Sequence, residues 1–240
     1  MKKILYIAAF LATALALAGC NKQNNDSWYY ATVTCRPAAD GTFYMKLDDT
    51  TALVSSNITK YPYGKAAEKR ATVFYSIDKK APAIEISGYK RTYSVTLTSI
   101  DTLYAKKPVQ SMGSFKEDST AFGNNTISPV LVGNIFPPTM IEDGYLCISF
   151  NFYASGFVTH QMNLVTGVNP ENPYEVELRH NACGDDPLYE YRGHMEFPLK
   201  SLPDTQGRTV DLRLKWRDMY TGETSSTVFK YCSRTDWPAD

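Results

Sequence analysis

The sequence lacks an excess of charge of either sign, because 25 Lys and Arg residues balance 25 Asp and Glu residues. A protein that neutralises nucleic-acid phosphates would carry a basic excess, so no nucleic-acid partner is expected. Catalytic and metal-binding patterns are also scarce. There are only three histidines, the five cysteines form no C-x-x-C pair, and no G-x-S-x-G nucleophile elbow occurs. The sequence therefore predicts no catalytic group, no metal site and no cofactor.

Long apolar runs are absent apart from Ile4 to Leu17, which is shorter than the roughly 20 residues that a membrane-spanning helix needs. Lys2 and Lys3 precede this run, and Leu17-Ala18-Gly19-Cys20 ends it. A basic start, an apolar stretch and small residues before a cysteine are typical of a bacterial lipoprotein signal peptide. We therefore expect residues 1–19 to be removed as the signal peptide and Cys20 to become the lipidated first residue.

Lipidation of Cys20 would decide where the protein resides. Several acyl chains on one residue, such as palmitate, give stable membrane attachment, whereas a single chain gives only marginal binding. We expect attachment to the membrane through Cys20, in the cell envelope and at the outer membrane, with its periplasmic or surface face left open. Residues 20–27 are polar and predict a short tether between the lipid and the folded part.

The first folded unit is predicted over residues 28–105 as an OB-like β-barrel. Apolar and polar residues alternate in Thr42 to Leu47 and in Tyr89 to Ile100, which is the period of a half-buried strand. Trp28 to Cys35 is β-branched and aromatic, and Asp40-Gly41 gives a turn between two such runs. Five strands over this length suit a small closed barrel.

Residues 106–125 break this rhythm, with Lys106-Lys107-Pro108, two glycines and few alternating apolar residues. They are interpreted as an interdomain segment, since a long structureless stretch is unusual inside one compact domain. Strands resume over residues 126–240, for example where Tyr174, Val176 and Leu178 alternate with charged residues. About seven such strands predict an Ig-like antiparallel β-sandwich. No segment shows a 3.6-residue apolar stripe, so the chain is predicted to be all-β with at most short helical turns.

Several motifs together resemble one known family. They are the Cys20 lipobox, Leu47-Asp48-Asp49-Thr50, Tyr61-Pro62-Tyr63 before the strand with Arg70 and Tyr75, the aromatic run Phe150 to Tyr153, and Leu178-Arg179-His180-Asn181 with Gly184-Asp185. In these the chain resembles the NigD-like lipoproteins of Bacteroidetes-type bacteria. Thr50 departs from the glycine that the family tends to carry. The resemblance implies an N-terminal OB-like domain and a C-terminal β-sandwich. It implies no activity, because the immunity role behind the family name is an association with a bacteriocin gene cluster.

Exposed aromatic side chains are the most suggestive candidates for ligand binding. Strand parity places Tyr30 and Tyr44 outside the barrel, and Tyr61 and Tyr63 lie on a predicted loop. Aromatic rings on an OB barrel can stack on sugars or bases, and the absence of basic excess disfavours bases. A glycan or a protein partner remains open, beside the alternative that these rings pack against the second domain.

The histidine-containing motif is interpreted as structural. Arg179, His180, Asn181, Gly184 and Asp185 predict a hydrogen-bonded turn, because Asn, Gly and Asp tolerate left-handed backbone and cap neighbouring amides. Arg179 is expected to pair with Asp185 or Asp186 across this turn, and no metal spacing is present.

The remaining cysteines allow a disulfide in an exported protein. The four after Cys20 permit three pairings, of which Cys183–Cys232 is preferred because both residues lie in turn-rich sequence of the second half.

The leading functional hypothesis is a lipid-anchored binding or interaction protein of the cell envelope without catalytic activity, with bacteriocin immunity as one version. A carbohydrate-binding accessory lipoprotein is the alternative. A hydrolase is a second alternative, since Glu171, Glu175 and Glu177 would act as paired carboxylates only if they faced a groove.

Overall fold

A computed structural model describes residues 27–38, 40–63, 68–82, 84–124, 128–129 and 138–238. The predicted signal peptide, the tether up to residue 26 and the lipidation residue Cys20 lie outside these residues. Within them, no helix has the length and apolar character that crossing a bilayer would require.

The N-terminal domain is a closed five-stranded barrel, which confirms the predicted OB-like fold. Its strands follow the order β1-β2-β3-β5-β4, and only β3 and β5 pair in parallel. Alternate residues of each strand fill the interior, among them Val33, Met45 and Val95. The strands are β1 (Trp28–Pro37), β2 (Phe43–Lys46), β3 (Thr51–Ser55), β4 (Lys69–Ile77) and β5 (Arg91–Thr102).

The C-terminal domain is a sandwich of two sheets with one apolar core, as predicted. A five-stranded sheet has the order β14-β13-β11-β10-β6, and the facing sheet has the order β12-β9-β7 with β8 also paired to β9. The strands are β6 (Val109–Gln110), β7 (Ser128–Pro129), β8 (Met140–Glu142), β9 (Tyr145–Ala154), β10 (Gln161–Thr166), β11 (Glu175–Asn181), β12 (Tyr189–Pro198), β13 (Val210–Arg217) and β14 (Thr224–Tyr231).

The sandwich is not purely antiparallel, which corrects one part of the prediction. Strand β11 pairs in parallel with β13, and β6 pairs in parallel with β10. In each case the intervening chain crosses to the other sheet before it returns, and a crossover of that kind produces parallel neighbours.

The segment expected to link the domains contributes structure to the sandwich. Strand β6 extends the five-stranded sheet, and a helix, α1 (Phe115–Phe122), packs on β10 and β11. Ser114 caps this helix: its Oγ accepts a hydrogen bond from the Glu117 amide at 3.3 Å and donates one to the Glu117 carboxylate at 2.7 Å. The buried Asp118 accepts hydrogen bonds from Ser111 Oγ at 2.7 Å and from the Met112 amide at 2.6 Å. The Ser114 cap and the hydrogen bonds of Asp118 therefore stabilise a helix that has no apolar stripe.

The four cysteines of the described residues are free thiols, so the preferred Cys183–Cys232 disulfide is not formed. Both residues are exposed. The strand register explains their separation: Cys183 follows the carboxyl end of β11, whereas Cys232 follows β14 at the opposite end of the same sheet. They lie roughly 30 Å apart along the strands, and a disulfide needs Cα atoms within about 7 Å.

The two domains meet through buried charged side chains. The β8–β9 hairpin turns at Asp143-Gly144 with positive φ at both residues and inserts the Asp143 carboxylate against the barrel. That carboxylate accepts hydrogen bonds from Thr34 Oγ1 at 2.6 Å and Lys46 Nζ at 2.6 Å, and it pairs with Arg36 at 3.2 Å. This hairpin fixes the sandwich on one end of the barrel.

Candidate functional site: a groove between the sheets of the sandwich

A groove of about 760 Å³ opens where β9 and β12 of one sheet face the start of β10 in the other. We call it the sandwich groove. Its volume lies in the range of sites for small molecules or for a few side chains of a partner. Half of the sixteen lining residues are apolar or aromatic: Tyr104, Phe150, Phe152, Ala154, Val158, Met162, Tyr191 and Met195. The other half includes the cations Lys106 and Arg192 and the imidazoles of His160 and His194.

Aromatic rings form the wall of the groove on β9 and β12. Phe152 lies 5.9 Å from Phe150 and 6.0 Å from Tyr191, measured between ring centroids. Gly193 on β12 is opposite Phe150, and a Cβ there would come within 2.5 Å of the Phe150 ring. The absence of a side chain at this residue therefore lets the Phe150 ring lie flat across the strand pair.

The mouth of the groove is surrounded by exposed apolar side chains. Phe157 is 92% exposed and Leu188 is 58% exposed, and both lie on loops next to the paired ends of β9 and β12. We call this the mouth surface; it also includes Val158 and Tyr189. Several exposed apolar side chains near one groove are typical of a surface that a partner covers.

A chain of polar side chains holds the loop at one end of the groove. His160 Nδ1 lies 2.8 Å from His180 Nε2, and His160 Nε2 lies 3.0 Å from Asp185. Asp185 also accepts hydrogen bonds from the Ser155 amide at 2.7 Å and from its hydroxyl. These Ser155 bonds, with that from His160, lower the pKa of Asp185 to about 2. The carboxylate thereby joins the β9–β10 loop to the β11–β12 turn.

A second polar chain lies beneath the groove. Ser149 Oγ lies 3.0 Å from His194 Nδ1, and His194 Nε2 lies 3.0 Å from Glu196. Cys147 Sγ donates to the other Glu196 oxygen at 2.8 Å. Burial alone would raise the pKa of Glu196, but the bond from His194 and the charge of Arg70 lower it. Ser149 is only 2% exposed, so its hydroxyl does not reach the groove as a nucleophile would.

The four tyrosines predicted as ligand-binding candidates do not form one surface. Tyr30 is 54% exposed on β1, and Tyr44 makes an edge contact with Tyr89 at 5.6 Å. Tyr61 and Tyr63 pack edge to face at 5.4 Å against the barrel core, and burial raises the pKa of both phenols. Neither of these two rings therefore offers an open face for stacking.

The Arg179 motif is divided between two structural tasks. Asn181 accepts a hydrogen bond from the Cys183 amide at 2.9 Å in a turn that includes Gly184 with positive φ. Arg179 does not pair with Asp185 or Asp186, contrary to expectation. It donates to Ser119 at 3.0 Å and to Glu177 at 3.2 Å, and its guanidinium lies 4.7 Å from the Phe115 ring. Arg179 points to the opposite side of β11 from His180 and fixes α1 to the sheet.

The carboxylates weighed for glycoside hydrolysis do not face the groove. Glu175 pairs with Lys215 at 3.3 Å, and Glu177 pairs with Arg179. Within the part of the chain that the structure describes, no cluster of three His, Cys, Asp or Glu side chains is arranged to hold a metal ion.

Sequence reasoning did not single out Tyr191, Gly193 and His194 as a site. Their signal in the sequence is weak, because an aromatic residue, a glycine and a histidine in a strand are each ordinary. Phe150 and Phe152 were visible as an aromatic run with common parity. Only the pairing of β9 with β12 brings these residues together.

Comparison with family models gives two matches. A model for the NigD-like N-terminal OB domain matches residues 31–110, and a model for the NigD-like C-terminal beta sandwich domain matches residues 111–231. Together they cover nearly all of the folded chain. No curated protein matches the sequence.

Solved structures share the whole architecture. One from Parabacteroides distasonis, described as toxin-related, is 27% identical with a TM-score of 0.65, and the match covers 86% of this chain and 94% of that one. A NigD-like immunity protein from Bacteroides caccae is 17% identical with a TM-score of 0.58, covering 87% and 99%. A Bacteroides fragilis structure described as a lipoprotein is 11% identical with a TM-score of 0.57, covering 87% and 100%.

Proposed function

The chain belongs to the NigD-like family, and from that premise we propose that it is a lipid-anchored protein of the cell envelope that binds a peptide or protein partner in the sandwich groove. The proposal includes no catalytic activity. The single observation that carries it is the groove with its aromatic wall, next to the exposed apolar side chains of the mouth surface.

The chemistry of the groove favours a partner with apolar side chains. Phe152 and Tyr191 offer ring faces and edges, while Met162 and Met195 offer flexible thioethers that adapt to shape. Phe157 at the mouth is almost fully exposed and would be buried by an occupant larger than one small molecule. Burial of such a side chain contributes about 1.5–3 kcal/mol. A partner that fills the groove and covers its mouth would gain binding free energy from the groove residues and from the burial of Phe157.

The lipid anchor that the sequence predicts at Cys20 supports the same function. The lipobox at Cys20 and the short tether would attach the protein to one membrane. One structural neighbour is itself described as a lipoprotein. We propose the outer membrane as the site of attachment.

Bacteriocin immunity is one version of this function, because one structural neighbour is described as an immunity protein. A bacteriocin would then be the partner. Deletion of the gene is expected to sensitise the cell to a bacteriocin of neighbouring strains, and complementation with a Tyr191→Ala, Phe157→Ala variant should not restore resistance. Unchanged sensitivity after deletion would remove this version and leave the binding function standing.

Photo-crosslinking in the native cell tests the binding function directly. A benzophenone amino acid at Tyr191 should capture a specific partner, whereas the same probe at Val228, which is exposed on the outer face of β14, should not. Mass spectrometry would identify the captured protein. Equal capture patterns at the two residues would contradict a binding site in the groove.

A carbohydrate partner is the second candidate, favoured by the ring faces of Phe152 and Tyr191 in an open groove. A glycan array with the lipid-free protein distinguishes it from a protein partner. Binding that is lost in Tyr191→Ala but kept in Tyr61→Ala would support this candidate, because Tyr61 packs on the barrel.

A further inference from the structure

Aromatic side chains crowd one end of the barrel. Trp28 is 51% exposed and Tyr30 is 54% exposed on the outer face of β1, and Trp28 stacks on Phe74 at 5.4 Å. Tyr29 and Tyr93 are exposed at the same end, beside the β4–β5 turn. We call these five residues the aromatic rim.

Two exposed lysines extend the aromatic rim. Trp28 is paired with Ser76 near the end of β4, and Lys79 and Lys80 follow in the turn just beyond that strand. Both lysine side chains are exposed. Indole and phenol rings beside lysines make an amphipathic surface, apolar in body and polar at its tips.

The aromatic rim lies at the opposite end of the barrel from the sandwich. Thr34 and Arg36, near the end of β1, contact Asp143 of the sandwich, whereas Trp28 begins the same strand. Eight residues of strand place Trp28 roughly 26 Å from Arg36. The sandwich therefore leaves the aromatic rim uncovered.

The covalent chain keeps the aromatic rim near the proposed lipid. Trp28 is eight residues after Cys20, and a chain of that length spans at most about 29 Å. The end of the barrel that carries the rim is thus the first part of the folded protein that a membrane at Cys20 can meet. The exposed apolar side chains of the mouth surface belong to the other domain and have no such tether.

We propose that the aromatic rim rests on the lipid–water interface of the membrane that holds Cys20, with Trp28 and Tyr30 among the headgroups. This inference depends on the lipid anchor in the proposed function. Trp and Tyr favour that interface because their apolar bodies and polar tips match its two sides. Lys79 and Lys80 would face anionic headgroups. The barrel then stands between the bilayer and the sandwich and holds the groove away from the membrane surface.

Fluorescence quenching tests this orientation in the full lipidated protein. The protein is purified from its membrane and reconstituted into vesicles of phosphatidylethanolamine and phosphatidylglycerol whose acyl chains carry bromine near the headgroup. Trp28 emission is expected to lie at a shorter wavelength than that of an indole in water. In brominated vesicles it should also be weaker than in unbrominated vesicles. Trp216 is buried and Trp237 packs on Arg234 at the domain junction, so neither should be quenched.

Two variants separate Trp28 from the other indoles. In Trp28→Phe the quenchable emission should disappear while the rest of the emission remains. In the double variant Trp28→Phe, Tyr220→Trp the new indole lies on the exposed β13–β14 turn and should stay unquenched. Equal quenching in the parent and in Trp28→Phe would overturn the orientation, and so would quenching of the indole at residue 220 as strong as that of Trp28.

The intact mass of the same preparation distinguishes failure of the proposed orientation from failure of the proposed lipid anchor. Acylated protein in which Trp28 is not quenched would overturn only the orientation. Protein without acyl mass at Cys20 would overturn the anchor, and the orientation with it.

Discussion

Arg70 of the barrel donates a hydrogen bond from Nη2 to Glu142 of the sandwich over 2.6 Å, and this ion pair crosses the domain junction. The guanidinium is almost completely buried, with Glu196 3.7 Å away and Cys147 in contact. Through Glu196 it also touches the polar chain beneath the sandwich groove. One cation thus joins the barrel, the junction and the candidate site.

Arg70→Met should destabilise the protein by about 3–5 kcal/mol, because the buried Glu196 and the half-buried Glu142 would keep negative charge without their cation. Urea unfolding at pH 7 measures the loss. Arg91→Met is the matched control, since Arg91 is exposed and its guanidinium donates a hydrogen bond to Thr50; it should cost less than about 0.5 kcal/mol. Equal losses in the two variants would show that the buried pair stabilises nothing.

Because of Asp143, the protein should become less stable as the pH becomes acid. Burial alone would raise the pKa of Asp143, but bonds from Lys46 and Thr34 and the charge of Arg234 lower it below its usual range. Its stabilising contribution is therefore complete above about pH 4, the ordinary pKa of Asp, and is lost as pH falls through the lower folded pKa.

Asp143→Asn isolates this effect, because Asn also tolerates the positive φ at residue 143. The variant should be less stable by about 1.5–3 kcal/mol at pH 7, as expected for lost hydrogen bonds to charge. The difference should shrink as pH falls below about 4, the ordinary pKa of Asp, toward the lower pKa of the folded state. Urea unfolding at neutral and acid pH measures it, and a difference that stays constant with pH would contradict the prediction.

Gly193→Ala should distort the sandwich groove. Its Cβ would lie 2.5 Å from the Phe150 ring, so the ring or the strand must shift, at a cost of about 1–3 kcal/mol. The double variant Gly193→Ala, Phe150→Leu restores space and should recover part of both stability and crosslinking at residue 191. If the effects of the two substitutions on the free energy of unfolding are additive, the close contact between these residues has no energetic consequence.

Thiol reactivity should divide the cysteines into two pairs. Cys183 and Cys232 are exposed and should be alkylated by iodoacetamide in the folded protein at pH 8. Cys35 and Cys147 are buried and should react only in urea; burial raises the pKa of Cys35 to about 12 and that of Cys147 well above its usual range. Peptide mass mapping identifies each labelled residue. Protection of Cys183 and Cys232 that disappears on reduction would instead indicate a disulfide.

The strands were predictable because the alternation of apolar and polar residues is a local pattern. The alternation in Thr42 to Leu47 and in Tyr174 to Leu178 is visible without any partner strand. Helix α1 was missed because the polar contacts of Asp118 and Arg179 hold it, and these carry no apolar stripe. The preferred disulfide was wrong in geometry for a related reason: sequence distance does not reveal which end of a sheet a residue occupies.

The sequence by itself determined the two all-β domains, their order and the expectation of a lipid at Cys20, because periodicity and a lipobox are local patterns. Only the tertiary structure decided where function can reside. Pairing of β9 with β12 assembled the groove from Phe152, Tyr191 and Gly193, which lie up to 41 residues apart. Docking of the β8–β9 hairpin on the barrel put Arg70 beside Glu142, and the register of β1 with β4 left Trp28 at the free end of the barrel. Such relationships arise from long-range backbone pairing and domain packing, and no short window of residues contains that information.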